Sequence, residues 1–251
     1  MKSVVVGRGR PIFLLHEWLG DHRNWLPMIE HFSTDEFSFH CLDLPGYGVS
    51  QDIAFNPSIE AISQMVLDYA LERKIEKFTL IAHSMSGLIG HHLGTVASQS
   101  LDDLVFFCPV PPSGFKATEN SIATMYSVTT DRDALRQAIF ARGTEFETEQ
   151  WLAEKVDLAW SASPPEIKQS YLNLFLAPVS PEAQNSSVRQ AKIICGDLDL
   201  AFYRKASLRE EFHPFYDKTT IVSLDRCGHY PMLQKPALAA DSLRHYLQQQ
   251  D

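Results

Sequence analysis

The chain has 251 residues, of which 45% are hydrophobic and 21% charged, and its formal net charge at pH 7 is −9. This length and composition predict one soluble globular domain with a sizeable core. The acidic balance, without a cluster of Lys and Arg, argues against a nucleic-acid partner, because such proteins usually carry a basic surface. A small neutral or weakly charged molecule is the expected partner.

The N-terminal sequence and the spacing of the cysteines predict where the protein resides and whether it binds a metal. The N-terminal stretch MKSVVVGRGRP has too short an apolar run for a signal peptide, and no run of apolar residues predicts a membrane span. The cysteines lie in or beside strand-like runs and lack C-x-x-C spacing, so we expect buried free thiols, no metal site and a reducing cytoplasm. They are Cys41, Cys108, Cys195 and Cys227.

Short apolar runs alternate with longer helix-like segments along the chain. The apolar positions of 58–73, 86–98 and 232–248 recur at helical spacing. Strand, helix and strand in succession predict an α/β fold with a mostly parallel sheet and helices on both faces. The predicted strands are 4–6, 12–15, 37–42, 78–82, 104–107, 193–195 and 220–224.

The segment 111–181 interrupts this alternation. It has no strand candidate, but it contains amphipathic pieces at 131–142, 147–160 and 165–177. We expect a helical cap at 111–181 on a core formed by 1–110 and 182–251. Its larger side chains could line a pocket or simply pack the cap's own core. They are Phe115, Met125, Tyr126, Phe140, Phe146, Trp151, Trp160, Tyr171 and Phe175, with Trp151 and Trp160 as the candidate pocket residues.

The stretch IAHSMSG, residues 81–87, places Ser84 between a strand and a helix. A serine on such a turn is exposed at the carboxyl edge of the sheet, where it can act as a nucleophile. The turn needs small neighbours, and Ala82 and Ser86 stand where the pattern G-x-S-x-G has glycine. The alternative is a serine that only caps the following helix.

A serine nucleophile needs a general base within hydrogen-bond reach. DRCGHYP places His229 in a Gly-His turn after the last predicted strand. His83 adjoins the serine, but its side chain should point away from that of Ser84 and support the turn. We therefore assign His229 as the base.

The base needs an acid to hold its tautomer, and IICGDLDLAF offers Asp197 and Asp199. We prefer Asp199, the fourth position of Gly-x-x-Asp after the strand. The strand end VFFCPV offers no acid.

Two backbone N–H groups are expected to stabilise the oxyanion that forms during the reaction. One belongs to Met85, which follows the nucleophile. The other comes from the loop HEWLGD, and we assign it to Trp18. His16 is then a structural residue that braces this loop.

The chain resembles the α/β-hydrolase superfamily over essentially its full length. The resemblance rests on the order Ser, Asp, His, the loop LLHEWLGDHRNW, the segment DLPGYGVS and the ending GHYPMLQKPALAADSLRHYL. It implies an eight-stranded sheet that here lacks the first strand, a helical cap, and the triad and oxyanion donors named above. Where the family usually has His-Gly, this chain has Glu17, which could contact a polar substrate group or be structural.

Serine at the nucleophile position disfavours the dehalogenase and epoxide-hydrolase branches. We expect hydrolysis of a small to medium, largely apolar carboxylic ester or lactone, without a cofactor. The same triad also serves C–C bond, amide and thioester hydrolases, cofactor-free oxygen chemistry, and ligand receptors with little or no turnover, since fold alone does not assign a substrate.

Overall fold

The central sheet has seven strands in the order β1-β3-β2-β4-β5-β6-β7. The computed structural model describes residues 1–54, 56–177, 188 and 190–248. Strand β1 runs antiparallel to β3, and all other neighbouring strands are parallel. Each predicted strand lies within an observed one, which confirms the predicted sheet. The strands are β1 Lys2–Gly7, β2 Arg10–Leu15, β3 Phe37–Asp43, β4 Phe78–His83, β5 Leu101–Phe107, β6 Gln190–Gly196 and β7 Lys218–Leu224.

The helices follow the predicted pattern, with additions. Helices α2 and α3 match their predictions, and the short α1 and α8 were not predicted. The described α-helices are α1 Leu26–Ile29, α2 Ile59–Glu72, α3 Gly87–Val96, α4 Glu119–Val128, α5 Arg132–Arg142, α6 Glu149–Ala162, α7 Pro165–Leu176, α8 Lys205–Phe212, α9 Pro231–Gln234 and α10 Pro236–Gln248. Among them is no segment with the length and hydropathy of a membrane-crossing helix.

The prediction of one C-terminal helix over 232–248 is wrong. The chain forms α9 and α10, separated by Lys235, whose φ of −137° and ψ of 55° are not helical. The ring of Pro236 disfavours helical backbone in the residue before it. Periodicity alone could not show this break, because both helices bury the same kind of apolar face.

Four helices, α4 to α7, lie between β5 and β6. Three of them match the predicted amphipathic pieces of the cap. Helix α4 was missed because it buries only Met125 and Val128, so its apolar pattern is weak. The predicted end of the cap, at residue 181, lies outside the described residues.

Parallel strands bring distant parts of the chain to one edge of the sheet. The segment 16–24 follows β2, Ser84 follows β4, Asp199 follows β6 and His229 follows β7. In open α/β sheets, ligands bind at this carboxyl edge.

The four cysteines are buried and free, as expected.

Helix α3, which follows Ser84, lies very close to the sheet. A Cβ added at Gly90 would come within 3.1 Å of both Ala82 Cβ and a ring carbon of Phe106. The small side chains at 82 and 90 therefore set how closely the helix approaches β4.

Gly90→Leu should destabilise the protein by about 1–3 kcal/mol, because overpacking forces the helix and sheet apart. The thermal melting temperature measures this effect. Ala153→Leu, at an exposed position of α6, is the matched control and should change the melting temperature little. Equal effects of the two substitutions would contradict the close packing of α3.

Candidate active site

Ser84 sits on a strained turn between β4 and α3. Its φ is 52°, a value that residues other than glycine seldom adopt. Val110 N–H donates to the Ser84 carbonyl at 2.8 Å. A Cβ at Gly87 would lie 2.6 Å from the Val110 carbonyl oxygen, so the first turn of α3 also packs tightly against this segment. Surrounding backbone thus holds the strained serine in place.

The hydroxyl of Ser84 bonds to an imidazole and not to the N-terminus of the helix. His229 Nε2 lies 2.9 Å from Ser84 Oγ, and His229 Nδ1 lies 2.7 Å from Asp199 Oδ2. Because a carboxylate only accepts, Nδ1 carries the proton and Nε2 is free to accept from the serine. Asp199 Oδ1 accepts from Leu200 N–H at 2.7 Å.

All three side chains are shielded from water. The exposed fraction is 7% for Ser84, 2% for His229 and 0% for Asp199. Hydrogen bonds in such an environment are stronger than in water. The arrangement is that of a nucleophile, a base and an orienting acid.

Asp197, the other candidate acid, has a different partner. Its Oδ1 accepts from Cys227 N–H at 3.1 Å, which stabilises the turn before His229. Cys108 follows β5, the strand whose end VFFCPV offers no acid. Its Sγ lies within 4.8 Å of a carboxylate oxygen of Asp199 and a ring nitrogen of His229.

Among the residues that the structure describes, two clusters contain residue types that bind metals. One is the Cys108, Asp199 and His229 cluster, and the other joins Asp21, His22 and Asp43. In the second, His22 Nδ1 lies 2.7 Å from Asp43 Oδ2, and Arg23, next in the chain, pairs with Asp21 at 2.6 Å. The carboxylates of both clusters are thus hydrogen-bonded by protein donors.

The main chain of His229 is held from two sides. Its N–H donates to the Arg142 carbonyl at 2.8 Å, and its carbonyl lies 2.9 Å from His83 Nε2. Burial lowers the pKa of His83 to about 3, so this imidazole is neutral and donates through Nε2. A Cβ at Gly228 would lie 2.3 Å from the Arg142 carbonyl oxygen, so only glycine fits between the cap and this turn.

His16 braces the loop after β2, as predicted. Its Nε2 accepts from Leu44 N–H at 3.1 Å, so its Nδ1 carries the proton and donates to the Glu17 carbonyl at 2.7 Å. Ser86 Oγ donates to the His16 carbonyl at 2.5 Å. The serine that replaces the second glycine of the nucleophile motif therefore links the turn to this loop.

The backbone groups around Trp18 are hydrogen-bonded, with the exception of one N–H. The Trp18 carbonyl accepts from Tyr47 Oη at 3.0 Å, and Leu19 N–H donates to Glu17 Oε2 at 2.6 Å. The Leu19 carbonyl accepts from Lys155 Nζ at 2.7 Å. From the Glu17 carbonyl to the Leu19 carbonyl, each backbone N–H and carbonyl group except Trp18 N–H has a hydrogen bond to a described residue. This N–H is the one that the sequence predicts as an oxyanion donor.

The three candidate pocket residues occupy different surroundings. The carboxylate of Glu17 is buried and bonds to Lys155, Leu19 N–H and Asn24. The Trp151 ring lies 6.0 Å from that of Tyr230, beside the base. Trp160 lies next to two cations, with Arg132 Cζ and Lys168 Nζ each 5.7 Å from its ring.

An aromatic group adjoins the triad, and its member Tyr203 was not among the residues predicted from the sequence. The Tyr203 ring lies 4.4 Å from that of His229. Burial raises the pKa of Tyr203, so the hydroxyl is neutral. Phe115 lies 6.4 Å from Tyr203 and 6.1 Å from Phe175. Tyr203 was missed because it lies outside the cap; its place one turn after Asp199 was the available signal.

The sequence pattern of the alpha/beta hydrolase family matches residues 12–242. The chain belongs to this family. It is 22% identical over 242 residues to a pimeloyl-(acyl-carrier protein) methyl ester esterase of Nitrosomonas europaea, and the match covers 92% of each chain.

Solved structures of this fold superpose closely. An esterase from Exiguobacterium antarcticum gives a TM-score of 0.86 at 17% identity, with 98% of this chain and 95% of that chain covered. An enol-lactonase from Burkholderia xenovorans gives 0.82 at 19% identity, covering 98% and 96%. At such identities the superposition shows that the alpha/beta hydrolase fold is shared.

Asp199→Asn should reduce turnover of an aryl ester by about 10⁴-fold, because an amide at this place favours the wrong tautomer of His229. Asp197→Asn, the matched control, should have a far smaller effect, since Asp197 bonds to backbone only. Steady-state kinetics of both variants test the assignment. Reversed effects would mean that Asp197 is the acid.

Proposed function

We propose that this alpha/beta hydrolase is a carboxylic ester hydrolase that forms an acyl-enzyme on Ser84. The observation that carries the proposal is the continuous hydrogen-bonded chain from Ser84 Oγ through His229 to Asp199, buried at the carboxyl edge of the sheet. The named esterases among the similar proteins support the same class of reaction.

In the first half of the reaction, Ser84 Oγ attacks the ester carbonyl carbon while His229 Nε2 takes the hydroxyl proton. The carbonyl oxygen becomes an oxyanion that accepts from the N–H groups of Trp18 and Met85. Asp199 stabilises the imidazolium and keeps Nε2 directed at the serine. When the tetrahedral intermediate collapses, His229 gives its proton to the leaving alkoxide, and the acyl group stays on Ser84.

In the second half, a water molecule gives a proton to His229 Nε2 and attacks the acyl carbon. The oxyanion forms again at the same two N–H groups. Collapse breaks the bond to Ser84 Oγ, which recovers its proton from His229, and the carboxylic acid leaves. Atoms and charges balance without a cofactor.

The substrate we propose is a small to medium, largely apolar ester or lactone held under the helical cap, 111–181. The support is the aromatic group next to the triad, in which Phe115 and Phe175 come from the cap and Trp18 and Tyr203 from the core. Such side chains bind apolar acyl or ring groups and exclude water, which strengthens the oxyanion contacts. An enol-lactonase among the similar structures is consistent with ring opening.

Ser84→Ala should abolish hydrolysis of short aryl esters while the melting temperature stays close to that of the wild type, because loss of the nucleophile removes several orders of magnitude in rate. Ser242→Ala, on α10, should behave as wild type. Substantial turnover by folded Ser84→Ala would exclude Ser84 as the nucleophile.

A serine-directed phosphonate provides an independent test of the same residue. It should label the wild-type protein once, at Ser84, and leave Ser84→Ala unlabelled. Repeated turnover of the aryl ester by the wild type distinguishes an enzyme from a receptor, which would show at most a single burst.

Phe115→Ala should alter the preference for acyl chain length, because the Phe115 ring belongs to the aromatic group beside Ser84, 6.4 Å from the ring of Tyr203. Trp160→Ala should mainly lower the melting temperature, because the Trp160 ring packs beside Arg132 and the buried Lys168. The ratio kcat/KM for 4-nitrophenyl acetate through octanoate, together with the melting temperature of each variant, tests this. The same chain-length profile for Phe115→Ala as for wild type would contradict the pocket assignment.

A further inference from the structure

A buried ion pair joins the cap to the loop that follows β2. Lys155 Nζ on α6 lies 2.8 Å from Glu17 Oε1, and the side chains are only 1% and 4% exposed. Replacing such a pair by apolar side chains is often neutral or even stabilising, because both charges must be taken out of water. Stability alone therefore does not explain why this chain places the pair here.

The ammonium of Lys155 is directed entirely at one loop. Its acceptors are Glu17 Oε1 at 2.8 Å, the Leu19 carbonyl at 2.7 Å and Asn24 Oδ1 at 3.3 Å, all within residues 16–24. An ammonium has three donors, so its hydrogen-bonding capacity is filled by this loop. The Tyr230 ring, beside His229, lies 4.7 Å from Nζ.

The carboxylate of Glu17 binds Lys155 and also two groups of its own loop. Its Oε2 accepts from Leu19 N–H, while Oε1 accepts from Lys155 and from Asn24 Nδ2. Burial by itself raises the pKa of Glu17, but the charge of Lys155 and the hydrogen bonds from Lys155 and Leu19 bring the pKa down to about 2. The carboxylate is thus ionised and occupied by protein donors.

We propose that Lys155 and Glu17 are positioning residues for the oxyanion site, holding the Trp18 N–H in the direction that the developing charge requires. The inference rests on the proposed ester hydrolysis. The pair fixes both polar groups of Leu19, and Tyr47 fixes the Trp18 carbonyl. The N–H of Trp18 is then directed by its clamped neighbours.

Neutrality of the pair matters as much as its geometry. A lone Glu17 carboxylate beneath the loop would repel the oxyanion in a medium of low dielectric, and Lys155 cancels that charge. Since Lys155 belongs to the cap, the alignment of the oxyanion donor depends on a docked cap. The cap acts here on the chemical step as well as on substrate binding.

The test uses the full chain and the double variant Glu17→Gln/Lys155→Met, which removes both charges and keeps similar side-chain lengths. The matched control is Arg136→Met/Glu149→Gln, an exposed ion pair within the cap at 2.7 Å. Three quantities are measured: kcat and KM for 4-nitrophenyl butyrate, the Ki of a trifluoromethyl ketone, and the Ki of the matching alcohol. Ser84 converts the ketone, but not the alcohol, into a tetrahedral oxyanion adduct.

The double variant should lose about 10- to 100-fold in kcat, because a misdirected oxyanion donor loses part of its effect. KM should change by less than about 3-fold, since substrate binding is not the step affected. Affinity for the ketone should fall with kcat, while affinity for the alcohol stays the same. The control variant should match the wild type in all three quantities.

Unchanged kcat, or equal weakening of ketone and alcohol, would overturn the inference. If the double variant fails to fold, Glu17→Asp alone decides, because aspartate keeps the pair neutral while its shorter side chain withdraws the carboxylate from Lys155 and from Leu19 N–H. It should show a smaller but ketone-selective loss of affinity, and no such loss would overturn the inference. A wild-type protein that neither turns over the ester nor prefers the ketone would remove the proposed function itself. Failure of the two proposals is therefore distinguishable.

Discussion

The turn at Ser84 is the constraint on which the rest of the site depends. A non-glycine residue with a φ of 52° persists only where its surroundings leave no alternative. Here the Val110 N–H holds the Ser84 carbonyl, and the small residues Ala82 and Gly90 let α3 approach the sheet. The strained backbone lifts the hydroxyl out of the end of β4 and towards His229. A relaxed turn would leave the serine as an ordinary helix cap.

Three histidines around this turn have different tasks, and hydrogen bonding decides each one. His229 carries its proton on Nδ1 because Asp199 accepts there. His16 also carries its proton on Nδ1, because Leu44 N–H occupies its Nε2. His83 is neutral, with a pKa of about 3 caused mainly by burial, and it holds the His229 carbonyl. Only one of the three therefore presents an unprotonated nitrogen to the nucleophile.

The helices between β5 and β6 do more than cover the sheet. The Arg142 carbonyl binds the N–H of His229, and Lys155 binds the loop that carries Trp18. A third contact runs from Trp18 Nε1 to the Lys168 carbonyl at 2.7 Å. His229 and Trp18, the proposed base and oxyanion donor, are both anchored to this helical segment, so its docking and their alignment are physically linked.

The sequence by itself determined the strands, most helices and the places of Ser84, Asp199 and His229, because short apolar runs, the 3.6-residue period and the residues that follow each strand are local signals. The break at Lys235 is also encoded locally, by Pro236, although the apolar spacing continues across it. The helix α4 was missed because it buries few apolar residues. The burial of Glu17 against Lys155 and the approach of Tyr203 to His229 were decided only by tertiary structure. Glu17 and Lys155 are 138 positions apart along the chain. No local sequence pattern shows which distant side chains will come into contact when the ends of parallel strands meet at one edge of the sheet.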